Sequence, residues 1–129
     1  MSSFLFVYGT LMGGHPNDLL TKIGATFVAR GTIQAKLYDL GEYPGAKPDH
    51  RHQVKGELYH LANPVKALAL LDNYEDYFTL RRRESLFVRE RAEVILEDGT
   101  RKTAWVYFYN RPVDESHLIA GGDYRPPNA

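Results

Sequence analysis

Apolar and polar residues are arranged along this chain in patterns that separate strands from helices. Phe4, Leu5, Phe6, Val7 and Tyr8 form an unbroken aromatic and aliphatic run suited to a buried strand. At Gly9 the run stops. Glycines then punctuate the sequence to Gly14, which marks a loop, yet Leu11 and Met12 stand where a surface turn is normally polar. "HPNDLLTKIG" predicts a short helix, capped by Asn17, with Leu19, Leu20 and Ile23 on its apolar side and Gly24 as its stop. In "ATFVARGTIQAKLYDL", Ile33, Ala35 and Leu37 alternate with Thr32, Gln34 and Lys36, which is strand periodicity with one wet face.

"GEYPGAKPDHRHQ" follows, rich in glycine and proline, and reads as a loop. "VKGELYHL" is a further strand with Val54, Gly56 and Leu58 on one side. "ANPVKALALLDNYEDY" is the clearest helix, with Asn63 as cap, Pro64 at the first helical position and alanine and leucine in the body. "AEVILEDGTRKTAWVYFYN" predicts a hairpin turning at Asp98-Gly99. Many strands and few helices predict an α+β fold: a small, mixed, barrel-like sheet with short helices at its side. Residues 1–129 read as a single domain.

Composition narrows the function classes. Lysine plus arginine equals aspartate plus glutamate, 16 each, so no basic field recruits nucleic acid or an anionic membrane surface. The chain has no cysteine, which excludes thiol catalysis, disulfides and cysteine-ligated metal. The first apolar run is short for a signal peptide and no long apolar stretch follows, so the expectation is a cytoplasmic, soluble protein. Asp49, His50 and His52 resemble metal ligands only superficially, because no third histidine stands at suitable spacing; a solvated loop is the better reading. Arg81, Arg82, Arg83, Arg89 and Arg91 interleave with Glu84, Glu90 and Glu93, which predicts a salt-bridged, solvated strand face.

Glu75 differs from these. It lies four residues after Leu71 and seven after Leu68, on the helix stripe that faces the core. It also falls in the last helical turn, where the macrodipole disfavours negative charge. Both placements raise a carboxyl pKa, the condition of a general acid or base near neutrality. Position alone favours the plainer reading, a frayed last turn in which Glu75 pairs with a nearby arginine.

Tyr8-Gly9-Thr10-Leu11 after the first strand, together with Glu75 in "LLDNYEDY", resembles the γ-glutamylcyclotransferase-like superfamily, in particular its small bacterial members and the γ-glutamylamine cyclotransferases. "YPGA", "VKGELYHL", "AWVYFYNRPV" and "GGDY" follow in the order those members show, so the resemblance spans nearly the whole chain. It implies a small mixed β-barrel, a first loop that holds the substrate's γ-glutamyl part, and Glu75 as acid/base. It implies an enzyme that converts a γ-glutamyl amine or γ-glutamyl amino acid to 5-oxoproline and free amine, without cofactor or metal. The implied substrate-binding residues are Tyr8, Gly9, Thr10 and Leu11, then Tyr43, Pro44 and Gly45 of "EYPGA", and Tyr124 of "GGDY". Tyr107 and Tyr109 are strand aromatics that suit either a lining or a core role. Asp76 is a departure, since many active relatives carry a small residue there.

The expected partner is a small γ-glutamyl molecule, with no nucleic acid or membrane, and the expected state is a monomer or homodimer. The glycines would bring backbone N–H groups close to an anion or oxyanion, while Leu11 and Met12 anchor the loop. A non-catalytic binding module that keeps the pocket is the alternative function.

Overall fold

The computed structural model describes residues 2–8, 19–41 and 43–124. Among these residues five strands and two α-helices follow in the order β1 (Phe4–Val7), α1 (Leu19–Lys22), β2 (Ala25–Asp39), β3 (Pro44–Leu61), α2 (Pro64–Tyr74), β4 (Phe87–Leu96) and β5 (Arg101–Tyr109). The strands close into a barrel in the order β1-β3-β2-β4-β5. Every pairing is antiparallel except β1 with β5, whose parallel contact at Leu5 and Trp105 completes the ring. The predicted mixed, barrel-like sheet with flanking short helices is the fold observed.

Alternation along each strand divides the apolar residues between two cores. Phe6, Ile33, Leu37, Val54, Leu58, Val94 and Val106 fill the barrel interior. Leu5, Val7, Tyr59, Phe87 and Tyr107 point outward and pack against Ala67, Leu68 and Leu71 of α2. Each buried leucine of that helix contributes about 2 kcal/mol of transfer free energy, so packing rather than propensity holds α2 in place. Gly56 makes one close approach possible, because a Cβ there would run into the Val7 carbonyl and come 2.6 Å from the Phe6 ring.

Local signals behave as the residue types require. The Asn63 side chain accepts the Lys66 amide at 3.3 Å and caps α2 ahead of Pro64. Gly24 (φ +72°) ends α1, and Gly99 (φ +86°) completes the β4–β5 turn, where Asp98 accepts the Thr100 amide at 2.9 Å. The expected Asn17 cap and the loop from Gly9 to Gly14 lie outside the described residues. β1 ends at Val7, one residue before the apolar run does.

Two expectations need correction. The segment read as a loop from Gly41 to Gln53 is a strand from Pro44 onward, paired with β2. At Gln34 and Ala35 the partner jumps from Gln53 to Pro48, so residues 49–52 have no partner on β2. Within this bulge Asp49 accepts the Arg51 amide at 2.8 Å and lies 3.1 Å from His52 Nδ1. Among the described residues no cluster of histidine and carboxylate side chains is suited to a metal.

The arginine-rich stretch is likewise not one solvated strand face. Arg82–Glu84 form a short 3-10 turn, flanked by an Arg81–Glu84 pair at 3.1 Å. Arg89 leaves the interleaved glutamates altogether and binds Asp72 on α2. No helix of the described residues is long and apolar enough to cross a membrane.

Candidate active site

Glu75 is the residue at which α2 ends. Beyond it the chain closes a Schellman turn: the Tyr77 amide donates to the Asp72 carbonyl at 2.8 Å and the Asp76 amide to the Asn73 carbonyl at 3.3 Å. That turn needs a left-handed residue next to the cap, normally glycine, and here Asp76 takes it with φ +53°. Asp76 is the one non-glycine residue at positive φ among those described. The turn fixes where Glu75 points.

It points into a cavity of about 350 Å³ lined by Phe6, Val7, Tyr8, Tyr43, Pro44, Tyr74, Glu75, Asp76, Leu86, Phe87 and Tyr107. Phe6 and Tyr8 belong to the interior core, whereas Val7, Phe87 and Tyr107 belong to the outer one. The cavity therefore straddles the barrel rim where β1 ends, beneath the end of α2, and the barrel interior itself is filled with side chains.

The Glu75 carboxyl is half-buried, and burial pushes its pKa up to about 7, with the neighbouring Asp76 charge adding to the rise. No hydrogen bond or ion pair joins the carboxylate to a described residue. The arginine partner that a frayed last turn would supply is not found among them. Arg89 is committed to Asp72 through Nε at 2.8 Å and Nη2 at 3.1 Å.

Two tyrosines of the cavity wall have their hydroxyl hydrogens spoken for. Tyr107 donates to Asp72 Oδ1 at 2.6 Å. Tyr8 donates to the Tyr107 carbonyl at 2.6 Å and accepts the Ala46 amide at 3.2 Å. Burial raises both phenol pKa values, and the Glu75 charge raises them further. Both rings stay neutral phenols, and both oxygens face further partners only as acceptors.

Of the sequence-predicted site residues, Tyr8, Tyr43, Pro44 and Glu75 come together at this cavity. Gly45 and Tyr124 do not line it. A Cβ on Gly45 would come 2.7 Å from Leu40 Cδ1 and 2.8 Å from Tyr109 Cβ, so that glycine serves strand packing. Tyr124 is buried in the interior core, brought there as the Gly122 carbonyl accepts the Lys55 amide at 2.7 Å. Gly9, Thr10 and Leu11 lie outside the described residues. The Asp72–Arg89–Tyr107 network was missed, although Asp72 stands three residues before Glu75 on the same helix.

Residues 5–126 match the family model described as gamma-glutamyl cyclotransferase, AIG2-like, and the chain belongs to that family. It is similar to the gamma-glutamylcyclotransferase family protein YtfP of Escherichia coli strain K12, with 34% identity over 120 residues, 93% of this chain and 94% of that protein. It is also similar to the gamma-L-glutamyl-butirosin B gamma-glutamyl cyclotransferase of Niallia circulans, with 34% identity over 108 residues, 83% of this chain and 67% of that protein. The crystal structure of YkqA from Bacillus subtilis superposes with a TM-score of 0.70 at 24% identity, over 96% of this chain and 40% of that longer one, and speaks for the fold alone. Family and relatives together support an enzyme of the cyclotransferase type.

Proposed function

We propose that the protein cyclises a γ-glutamyl amine or γ-glutamyl amino acid, releasing 5-oxoproline and the free amine, with Glu75 as the acid/base. One observation carries this reading: a carboxyl with a pKa near 7 and no partner among the described residues faces a cavity of substrate size. The reaction is intramolecular, so the protein's main task is to hold the substrate folded and to move protons.

Glu75 as carboxylate takes a proton from the substrate's α-ammonium. The freed amine attacks the γ-carbonyl, a C–N bond forms, and the five-membered ring closes on a tetrahedral centre. Glu75, now a carboxylic acid, returns the proton to the leaving nitrogen as its bond to the γ-carbon breaks, then takes the second proton from the ring nitrogen and passes it to the freed amine, which departs as an ammonium. The substrate's α-amine stands beside its own free α-carboxylate and is more basic than a chain terminus of pKa about 8, so the first transfer to a carboxylate of pKa about 7 is uphill by at least roughly 1.4 kcal/mol, against at least roughly 5 kcal/mol for an ordinary glutamate. The raised pKa also makes the protonated form a competent donor near neutrality.

The chain leaves β1 at the cavity wall through Tyr8. The backbone amides of Gly9 to Leu11, next in sequence, are assigned to the α-carboxylate or the developing oxyanion. A panel of γ-glutamyl amides, with 5-oxoproline release read by mass spectrometry, tests the activity. Turnover of at least one amide supports the reading; tight binding across the panel without any release favours the binding module.

A further inference from the structure

The described wall of the cavity carries acceptors and no cation. Glu75 and Asp76, adjacent in sequence, both line it, and among the described residues no lysine, arginine or histidine does. The hydroxyl hydrogens of Tyr8 and Tyr107 are directed to the Tyr107 carbonyl and to Asp72, so their oxygens can only accept. Asp76 is the less explained of the two carboxylates. It occupies a left-handed position that favours glycine, is exposed, and makes no hydrogen bond or ion pair with a described residue. Beside it Tyr74 is 56% exposed and presents an aromatic surface to the same cavity.

From this we infer that Asp76 selects the leaving side of the substrate, favouring γ-glutamyl amides whose departing amine carries a second positive charge and disfavouring γ-glutamyl amino acids. The inference rests on the cyclotransferase reading above and narrows it. A γ-glutamyl head group is itself a zwitterion, one ammonium and one carboxylate, and leaves the wall's charge unanswered. An amino-acid leaving group adds a carboxylate, which Asp76 repels. An aminoalkyl leaving group adds an ammonium, which Asp76 attracts and the Tyr74 ring accommodates through its π-face.

The test uses three matched substrates: the γ-glutamyl amides of butylamine, of 1,4-diaminobutane and of 4-aminobutyrate. Wild-type protein is expected to show kcat/KM for the aminobutyl amide about tenfold above the butyl amide, with the carboxypropyl amide below both. Asp76→Asn is expected to collapse that spread to within about threefold. The ratios are what is read, so any change in Glu75 acts on all three substrates and cancels. Raising salt to about 0.5 M should also narrow the wild-type spread, since an exposed carboxylate is screened.

Equal kcat/KM for the three amides in wild type, or a spread that survives Asp76→Asn, overturns the inference while leaving the cyclotransferase reading intact. If none of the three is turned over, the cyclotransferase reading fails for these substrates. Calorimetric binding of the same series then decides the charge preference, with tighter binding of the aminobutyl amide supporting it and equal binding rejecting it.

Discussion

Tyr107 donates its hydroxyl hydrogen to Asp72 at 2.6 Å, and so ties β5 to the helical turn that ends in Glu75. Arg89 of β4 grips the same carboxylate with two nitrogens, and its guanidinium lies 4.5 Å over the Trp105 ring. Two strands and one helix thus meet on a single carboxylate one turn from the proposed acid/base. The pair is 14% and 15% exposed, whereas the Arg101–Glu93 pair is 64% and 57% exposed.

These exposures separate two mutations. Asp72→Ala strands a mostly buried guanidinium and a phenol, and is expected to lower the unfolding free energy by about 2–4 kcal/mol. Arg101→Ala removes a surface pair and is expected to cost less than about 1 kcal/mol. Urea unfolding of both variants checks this; equal losses would mean the Asp72 network contributes nothing beyond an ordinary surface pair.

Asp76→Gly should act on backbone and charge together. Glycine accepts φ +53° without the strain of a Cβ, so stability should hold or rise by up to about 1 kcal/mol despite the added freedom of the unfolded chain. Removing the neighbouring charge should bring the Glu75 pKa down from about 7, leaving burial as the remaining cause. Carbon-detected NMR titration of the Glu75 carboxyl reads the second effect directly. A pKa unmoved by the substitution would show that Asp76 does not act on Glu75.

The pH dependence of stability has a definite sign. Glu75 holds its proton more tightly when folded, at about pH 7, than an unfolded glutamate does, at about pH 4.3. The stabilisation that this gives is complete below about pH 4.3 and lost as pH rises through about 7. Glu75→Gln, which mimics the protonated side chain, should therefore be more stable than wild type above pH 7, by about 1–3 kcal/mol after solvent screening. The gap should close below about pH 4.3, the unfolded value. A gap that is constant with pH contradicts a raised pKa. For catalysis, kcat/KM should fall on the acid side of about pH 7 as Glu75 is protonated.

Much of this fold was legible because alternation speaks directly to burial. Ile33, Ala35 and Leu37 are buried as their spacing requires, and Asn63-Pro64 starts α2 as its chemistry requires. The first half of β3 was not legible, for a physical reason. β3 pairs with β1 only from Glu57 to His60, so the stretch before it has β2 on one side and no β1 partner on the other. Prolines and polar residues are tolerated on such an edge, and Pro48 sits where the register shifts. The partial burial of Glu75 follows from its place on the helix, whereas its proposed role does not, because position alone favours a frayed last turn and only the family resemblance singles it out. The Asp72 network was not, because Arg89 among five arginines shows nothing in sequence that sets it apart, and only the barrel brings β4 and β5 against α2. Tyr124 misled for the converse reason: an aromatic in a tail segment serves a pocket or a core equally well until the path of the chain is known.

The measurement that bears most directly on Glu75 as the acid/base is 5-oxoproline release by wild type and Glu75→Gln from the same γ-glutamyl amide, with calorimetric binding of that amide to both. Glutamine keeps the size of the side chain and some of its hydrogen bonding while removing the proton acceptor. Release is predicted to fall roughly a hundredfold or more, with affinity little changed. Equal release by the two proteins would contradict the mechanism.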